Sequence, residues 1–164
     1  MKNKNLNDAT ILIVDDNEAN IEIIKGMLEL SGYKNLVSTT DSRKVLDLVR
    51  STKPDLLLLD LMMPYLSGFD IMDMLKSEEQ ILSNDYKYLP IIVITAEESQ
   101  ETKLKALTTG AKDYITKPFD IIEVKLRIRN ILETQYLFQL LKEKNQTLEE
   151  KIINFLKLNN DWYR

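Results

Sequence analysis

Short apolar runs alternate along the chain with stretches in which apolar residues recur every three or four positions. The runs fall at about 10–14, 35–39, 55–59, 90–95 and 113–116, and an amphipathic stretch follows each. Short runs read as buried strands and the longer periodic stretches as helices, so the pattern predicts five βα units. The second run, Leu36-Val37-Ser38-Thr39, is the least apolar and suits an edge strand. Nearly continuous apolar strands imply burial on both faces, which requires helices on both sides of a parallel sheet. The predicted architecture is doubly wound α/β.

Local signals agree with this reading. Ile21, Ile24 and Leu28, with Ile23 and Met27 beside them, keep helical spacing until Ser31-Gly32 supplies a stop. Ser42 is the expected cap of a helix carrying Val45, Leu46, Leu48 and Val49, and Lys53-Pro54 ends it. The stretch 77–89, with Asn84-Asp85, reads as a long connection entering a strand, on the side of the sheet away from the strand ends that bind ligands.

From Asp120 onward the chain has no glycine or proline and reads as one long helix. Ile131, Phe138, Asn145, Ile152 and Asn159 fall at heptad position a, and Thr134, Leu141, Leu148, Phe155 and Trp162 at d. Asn145 at a favours a two-stranded, in-register pair, and Lys144 at g would face Glu149 at e of a parallel partner. Leu137, Leu140, Leu156 and Leu158 lie off this seam and leave open an amphipathic helix folded back on its own domain. The expected boundaries are a tail over 1-8, a domain over 9-130 and a helical extension over 131-164, a coiled coil in the first reading.

Composition narrows the chemistry. The 164 residues are 44% hydrophobic and 29% charged, with net charge −4 and mixed signs, so no electrostatic footprint for nucleic acid or an acidic membrane is visible. Cysteine and histidine are both absent, which removes disulfides, thiol catalysis, the usual general base and the commonest transition-metal ligand. Oxygen donors remain, and these favour hard ions such as Mg²⁺. The N-terminus lacks the apolar stretch of a signal peptide and no run reaches transmembrane length, so a cytoplasmic location is expected.

The polar and charged residues at the strand ends then stand out. Asp15-Asp16 follow the first apolar run, Asp60 ends the third, Thr95 ends the fourth and Lys117 follows the fifth. In a doubly wound sheet these positions meet at the carboxyl edge. Three converging carboxylates would force one to protonate unless a cation intervened, and a divalent ion resolves that conflict. Lys117 adds a second positive charge, available to Asp60 at rest and to a phosphoryl oxygen after transfer. An aspartate so neutralised can act as a nucleophile and form an acyl phosphate, with the Thr95 hydroxyl and the Ala96 N–H as donors to the same group. Asp15 or Asp16 as a plain helix cap, and Tyr114 as an ordinary half-buried strand aromatic, are the simpler readings of those residues.

Four ordered motifs sharpen the reading: Ile11-Leu12-Ile13-Val14-Asp15-Asp16; Leu56-Leu57-Leu58-Leu59-Asp60-Leu61-Met62-Met63-Pro64 with Gly68; Ile94-Thr95-Ala96; and Gly110-Ala111-Lys112-Asp113-Tyr114-Ile115-Thr116-Lys117-Pro118-Phe119. In this order and spacing, over roughly 8–130, the chain resembles the receiver domain of two-component response regulators. The resemblance implies a flavodoxin-like (βα)5 sheet of strand order 2-1-3-4-5, and a phosphoryl group passed to Asp60 from a phosphohistidine on a sensor histidine kinase or histidine phosphotransfer protein. It also implies Mg²⁺ held directly by Asp16, Asp60 and the backbone carbonyl of Met62, with Asp15 acting mainly through water. Lys117 and Thr95 would contact the phosphoryl group, and Tyr114 would turn inward behind Thr95 as the switch aromatic. Met62 and Glu97 border this site and are expected to influence hydrolysis of the phosphate.

Other functions fit less well. An aspartyl phosphatase would want a carboxylate two residues after the nucleophile, where Met62 stands, and a flavodoxin would want a phosphate-binding loop where Asp15-Asp16-Asn17-Glu18 would repel one. A receiver-like interaction module that works without phosphorylation would be expected to lack an acidic residue or the lysine. The expectation is therefore a phosphoacceptor and not an enzyme in the ordinary sense. It passes its signal on through the helix, or through an effector domain beyond this sequence.

Overall fold

The computed structural model describes residues 6–81, 89–96 and 99–160. A 3-10 turn at Leu6–Asp8 leads into β1 (Thr10–Val14), α1 (Glu18–Leu30) and β2 (Asn35–Thr39); a second turn at Ser42–Lys44 precedes α2 (Val45–Thr52), β3 (Leu56–Asp60) and α3 (Gly68–Ile81). Then follow β4 (Ile91–Thr95), α4 (Gln100–Thr109), β5 (Asp113–Thr116) and α5 (Ile121–Asn160). All paired strands are parallel, in the order β2-β1-β3-β4-β5. This is the expected flavodoxin-like doubly wound sheet, accompanied by a long C-terminal helix.

Strand periodicity divides the core. Ile11, Ile13, Leu56, Leu58, Ile92 and Ile94 point to one face, where Ile21, Ile24 and Leu28 of α1 and Val124, Ile128 and Leu132 of α5 cover them. Leu12, Val14, Leu57, Leu59 and Val93 point to the other, against Val45 and Val49 of α2, Ile71, Met72 and Leu75 of α3 and Ala106 of α4. β3 and β4 are buried throughout, whereas β2 is exposed or half-buried along its length, as its edge position requires. Each such side chain contributes about 1.5–3 kcal/mol when fully buried, so these interleaved layers hold the strand ends in a fixed relation.

Helix ends follow local chemistry with one correction. Ser31 caps the end of α1, Gly32 takes φ +93, and Lys53 ends α2 in a left-handed conformation at φ 45. Asp41, not Ser42, caps the turn before α2, its side chain accepting the Arg43 N–H. The Ser42 hydroxyl turns inward instead, donating to the Pro64 carbonyl at 2.7 Å and accepting the Leu66 N–H at 3.2 Å. Both residues are good caps, and the loop packed against Ser42 decides between them. The expected connection 77–89 is also shortened, because α3 continues to Ile81; Asn84-Asp85 lie outside the described residues.

The chain divides into two units, Met1–Leu132 and Glu133–Arg164. In the second, the helical side chains of Leu137, Phe138, Leu141, Leu148, Ile152 and Phe155 are exposed. The heptad position assigned to Trp162, and the side chains of Leu158 and Asn159, lie outside the described residues.

Candidate functional site

The chain reverses direction across the sheet between β1 and β3, since β2 lies on one side of β1 and β3 on the other. Ligand crevices of doubly wound sheets form outside the carboxyl ends at that point. Asp15 and Asp16 follow β1 and Asp60 ends β3, and one carboxylate oxygen from each lies within 4.8 Å of the others. Asp15 is 0% exposed, Asp60 is 3% exposed and Asp16 faces solvent.

Lys117, just beyond β5, reaches across the edge to this cluster. Its Nζ lies 2.8 Å from Asp15 Oδ2 and 3.0 Å from Asp60 Oδ1, so one ammonium bridges two buried carboxylates. Burial pushes the Asp60 carboxyl up to about 6; hydrogen bonding and attraction from Lys117 oppose that rise, while Asp15 and Asp16 add to it. Burial pulls Lys117 down, but hydrogen bonds to Asp15 and Asp60 outweigh burial and hold its pKa above the ordinary lysine value. The cluster carries an excess of negative charge even with its lysine in place.

Asp15 is saturated with donors. Its Oδ1 accepts the Asn17 N–H at 2.9 Å, and the Asn20 side-chain amide lies 3.0 Å from Oδ1 and 3.1 Å from Oδ2. The helix cap falls to Asn17, whose side chain accepts the Ala19 N–H, so neither aspartate is merely a cap. Neither Asn17 nor Asn20 was marked by the sequence pattern. The spacing of Asn20 to Asp15 across a helix start was the one available signal.

Backbone packing explains why the loop after β3 begins α3 with glycine. A Cβ on Gly68 would sit 2.6 Å from the Asp60 carbonyl oxygen and 2.9 Å from Leu61 Cα, so any larger residue would displace the backbone at Asp60 and Leu61. The Gly68 N–H also donates to the Leu61 carbonyl at 2.9 Å. Between them lies Met62, which is 72% exposed.

Thr95 ends β4 at 1% exposure, and its carbonyl accepts the Lys117 N–H at 2.9 Å, which ties the two strand ends together. Tyr114 is not in the acidic pocket. It stands opposite Val93 in the sheet, half-buried, with Lys103 Nζ 5.0 Å and the Arg127 guanidinium 5.5 Å from its ring centre. Arg127 is anchored in turn by both Asp113 oxygens at 2.6 Å and by Glu123 at 2.8 Å. Glu97 lies outside the described residues.

The donor set fits a hard divalent cation: three carboxylates, one of them solvent-facing, with a surplus of negative charge that a single lysine leaves uncompensated. A doubly wound sheet with an acidic pocket and one lysine at its switch point defines the class of protein. The response regulator receiver domain family matches residues 11–129, and the chain belongs to it. Among curated relatives, the transcriptional regulatory protein YvrH of Bacillus subtilis is 37% identical over 131 residues, covering 80% of this chain and 52% of its own length. The alkaline phosphatase synthesis transcriptional regulatory protein PhoP of the same organism is 34% identical over 155 residues, 93% of this chain and 61% of its own. The chain thus spans about half to three fifths of the length of these relatives. Among solved structures, the receiver domain of the Francisella response regulator 1452 superposes with TM-score 0.68 at 28% identity, covering 77% of this chain and 98% of that one. None of the helices in the described residues is long and apolar enough to cross a membrane.

Proposed function

We propose that this chain accepts a phosphoryl group on Asp60 from a phosphohistidine of a sensor histidine kinase or histidine phosphotransfer protein, in a Mg²⁺-dependent reaction, and passes the signal on by changing conformation or assembly. The observation that carries this reading is the single Lys117 ammonium bridging buried Asp15 and Asp60. An Asp60 carboxylate oxygen attacks phosphorus, the P–N bond breaks and the departing imidazole takes a proton. Lys117 leaves its resting position to neutralise the incoming oxygens, and the Thr95 hydroxyl donates to one of them. Asp16, Asp60 and the Met62 carbonyl would hold the ion, with Asp15 acting through water, and the bound ion would supply charge neutralisation between carboxylate and phosphoryl group. Hydrolysis of the acyl phosphate resets the site. The chain is therefore a phosphoacceptor that catalyses its own loading and unloading, not an enzyme acting on a separate substrate.

Tyr114 is the readout. Its present position near Lys103 and Arg127 is one of two arrangements, and recruiting Thr95 to the phosphoryl group opens space for the ring to turn inward. The division we propose is a tail over 1-8, the receiver over 9-130 and an extension over 131-164. Exposure of Phe138, Leu141, Leu148, Ile152 and Phe155 supports a parallel two-stranded coiled coil through 131-162. A second reading is that this sequence is the receiver part of a longer regulator with an effector domain, supported by the greater length of YvrH and PhoP. A cytoplasmic site of action follows from either reading.

Two measurements test these proposals. With acetyl phosphate and Mg²⁺ the intact protein is expected to gain the mass of one phosphoryl group, and with acetyl phosphate and EDTA to gain none; no gain under either condition sinks the assignment. For the helix, sedimentation equilibrium is expected to give a dimer mass for wild type and a monomer mass for Leu148→Lys, which places an ammonium in the seam. Equal monomer masses would remove the coiled coil.

A further inference from the structure

Asn20 is the third residue of α1, a position whose side chain points back toward the helix start. In a capping box the residue there returns to the backbone N–H of the cap. Here the Asn17 N–H is taken by the Asp15 carboxylate, and the Asn20 amide reaches past the cap to the same carboxylate. Only the amide nitrogen can face a carboxylate favourably, because the amide oxygen would meet it as a second acceptor.

The geometry matters because of what each donor can hold. Asn17 fixes Oδ1 alone, and Lys117 fixes Oδ2 alone. Asn20 spans both oxygens at 3.0 and 3.1 Å, and so restrains rotation about the Cβ–Cγ bond, a torsion that is otherwise broad for aspartate. Lys117 is the donor that must leave Asp15 if it is to follow the phosphoryl group. When it goes, Asn20 is the side chain that still contacts Oδ2.

We propose that Asn20 is a positioning residue for the metal, holding the buried Asp15 carboxylate in one orientation both before and after Lys117 departs. The inference rests on the function proposed above. Second-layer partners of this kind change metal affinity by roughly 10–100-fold when removed. Loss of Asn20 is expected at the lower end of that range, since Asn17 stays in place.

Titration calorimetry of MgCl2 into the unphosphorylated full chain tests this with four proteins: wild type, Asn20→Leu, Asp15→Asn and the double variant. Leucine keeps the shape of asparagine and removes the donor, and urea unfolding of each variant checks the fold. Should Asn20→Leu not fold, Asn20→Ala replaces it, alanine being the strongest helix former. The expected result is a Kd for Mg²⁺ about 10-fold weaker in Asn20→Leu, with no further loss when the substitution is added to Asp15→Asn. An Mg²⁺ affinity in Asn20→Leu equal to that of wild type overturns the proposal, and so does an equal loss in both backgrounds, since Asn20 would then not act through Asp15. Failure of wild type to bind Mg²⁺ at all overturns the parent reading instead.

Discussion

Lys117→Ala is expected to destabilise the cation-free protein by about 3 kcal/mol, because removing one member of a buried ion cluster leaves the other charges uncompensated. Asp15 at 0% and Asp60 at 4% side-chain exposure have little water to replace the ammonium, and Lys117 itself is only 20% exposed. Urea unfolding in EDTA at pH 7.5 measures the loss. Lys117 has a raised pKa, so its contribution is complete below the ordinary lysine value and fades only as pH rises through the folded value. The deficit of the variant should therefore be present throughout the neutral range. Added Mg²⁺ should recover part of it, since an ion bound by the folded state alone stabilises by mass action. A variant as stable as wild type in EDTA would show that the carboxylates do not depend on the lysine.

Asp60→Asn carries the opposite sign. The ordinary carboxyl pKa of 3.8 is raised to about 6 at Asp60 by burial, so the folded state holds this proton more tightly than the unfolded chain does. Between these values stability falls as pH rises, and above about 6 the whole penalty of a buried charge is in place. A shift of that size corresponds to at most about 3 kcal/mol. The amide removes this penalty and can still accept a hydrogen bond from Lys117. In EDTA the variant should thus be more stable than wild type above pH 6, with the difference shrinking toward zero below pH 4. The same variant should gain no phosphoryl group from acetyl phosphate and Mg²⁺. A variant that is labelled as wild type is would remove Asp60 as the acceptor, whereas a gain in stability that persists unchanged at pH 3.5 would remove only the argument from its raised pKa. Taken together, Lys117→Ala and Asp60→Asn move the same charge balance in opposite directions, which unrelated packing defects would not do.

Much of this is legible in the sequence alone. The apolar runs ending at Val14 and Leu59 announce buried parallel strands, and the aspartates directly after them have few places to go except the carboxyl edge. The weak polar run at Leu36–Thr39 marked an edge strand for the same reason, and β2 is half-exposed there. Gly68 was visible only as part of a motif. Its requirement comes from a backbone approach of 2.6 Å to the Asp60 carbonyl, which no local pattern encodes.

The misplaced cap at Ser42 shows where local chemistry ends. Asp41 and Ser42 are equally able to cap a helix, and the choice was made by the Pro64 carbonyl and Leu66 N–H, more than 20 residues away in sequence. The role of Asn20 is hidden in the sequence for a related reason: a polar residue in a first helical turn ordinarily faces water, and only the curl of the chain from Asp15 into α1 turns its amide onto a buried carboxylate.

By itself, the sequence determined the strand and helix periodicities, the doubly wound class and the residue types gathered at the sheet edge, because each of these follows from spacing along one segment. Tertiary structure decided which oxygen of Asp15 meets Lys117, that Asp60 is buried enough to shift its proton affinity, that Ser42 clamps the loop after β3 and that the Tyr114 ring has Lys103 and Arg127 close to it. Those are distances between segments far apart in the chain, and they exist only once the sheet and its covering helices bring the strand ends together.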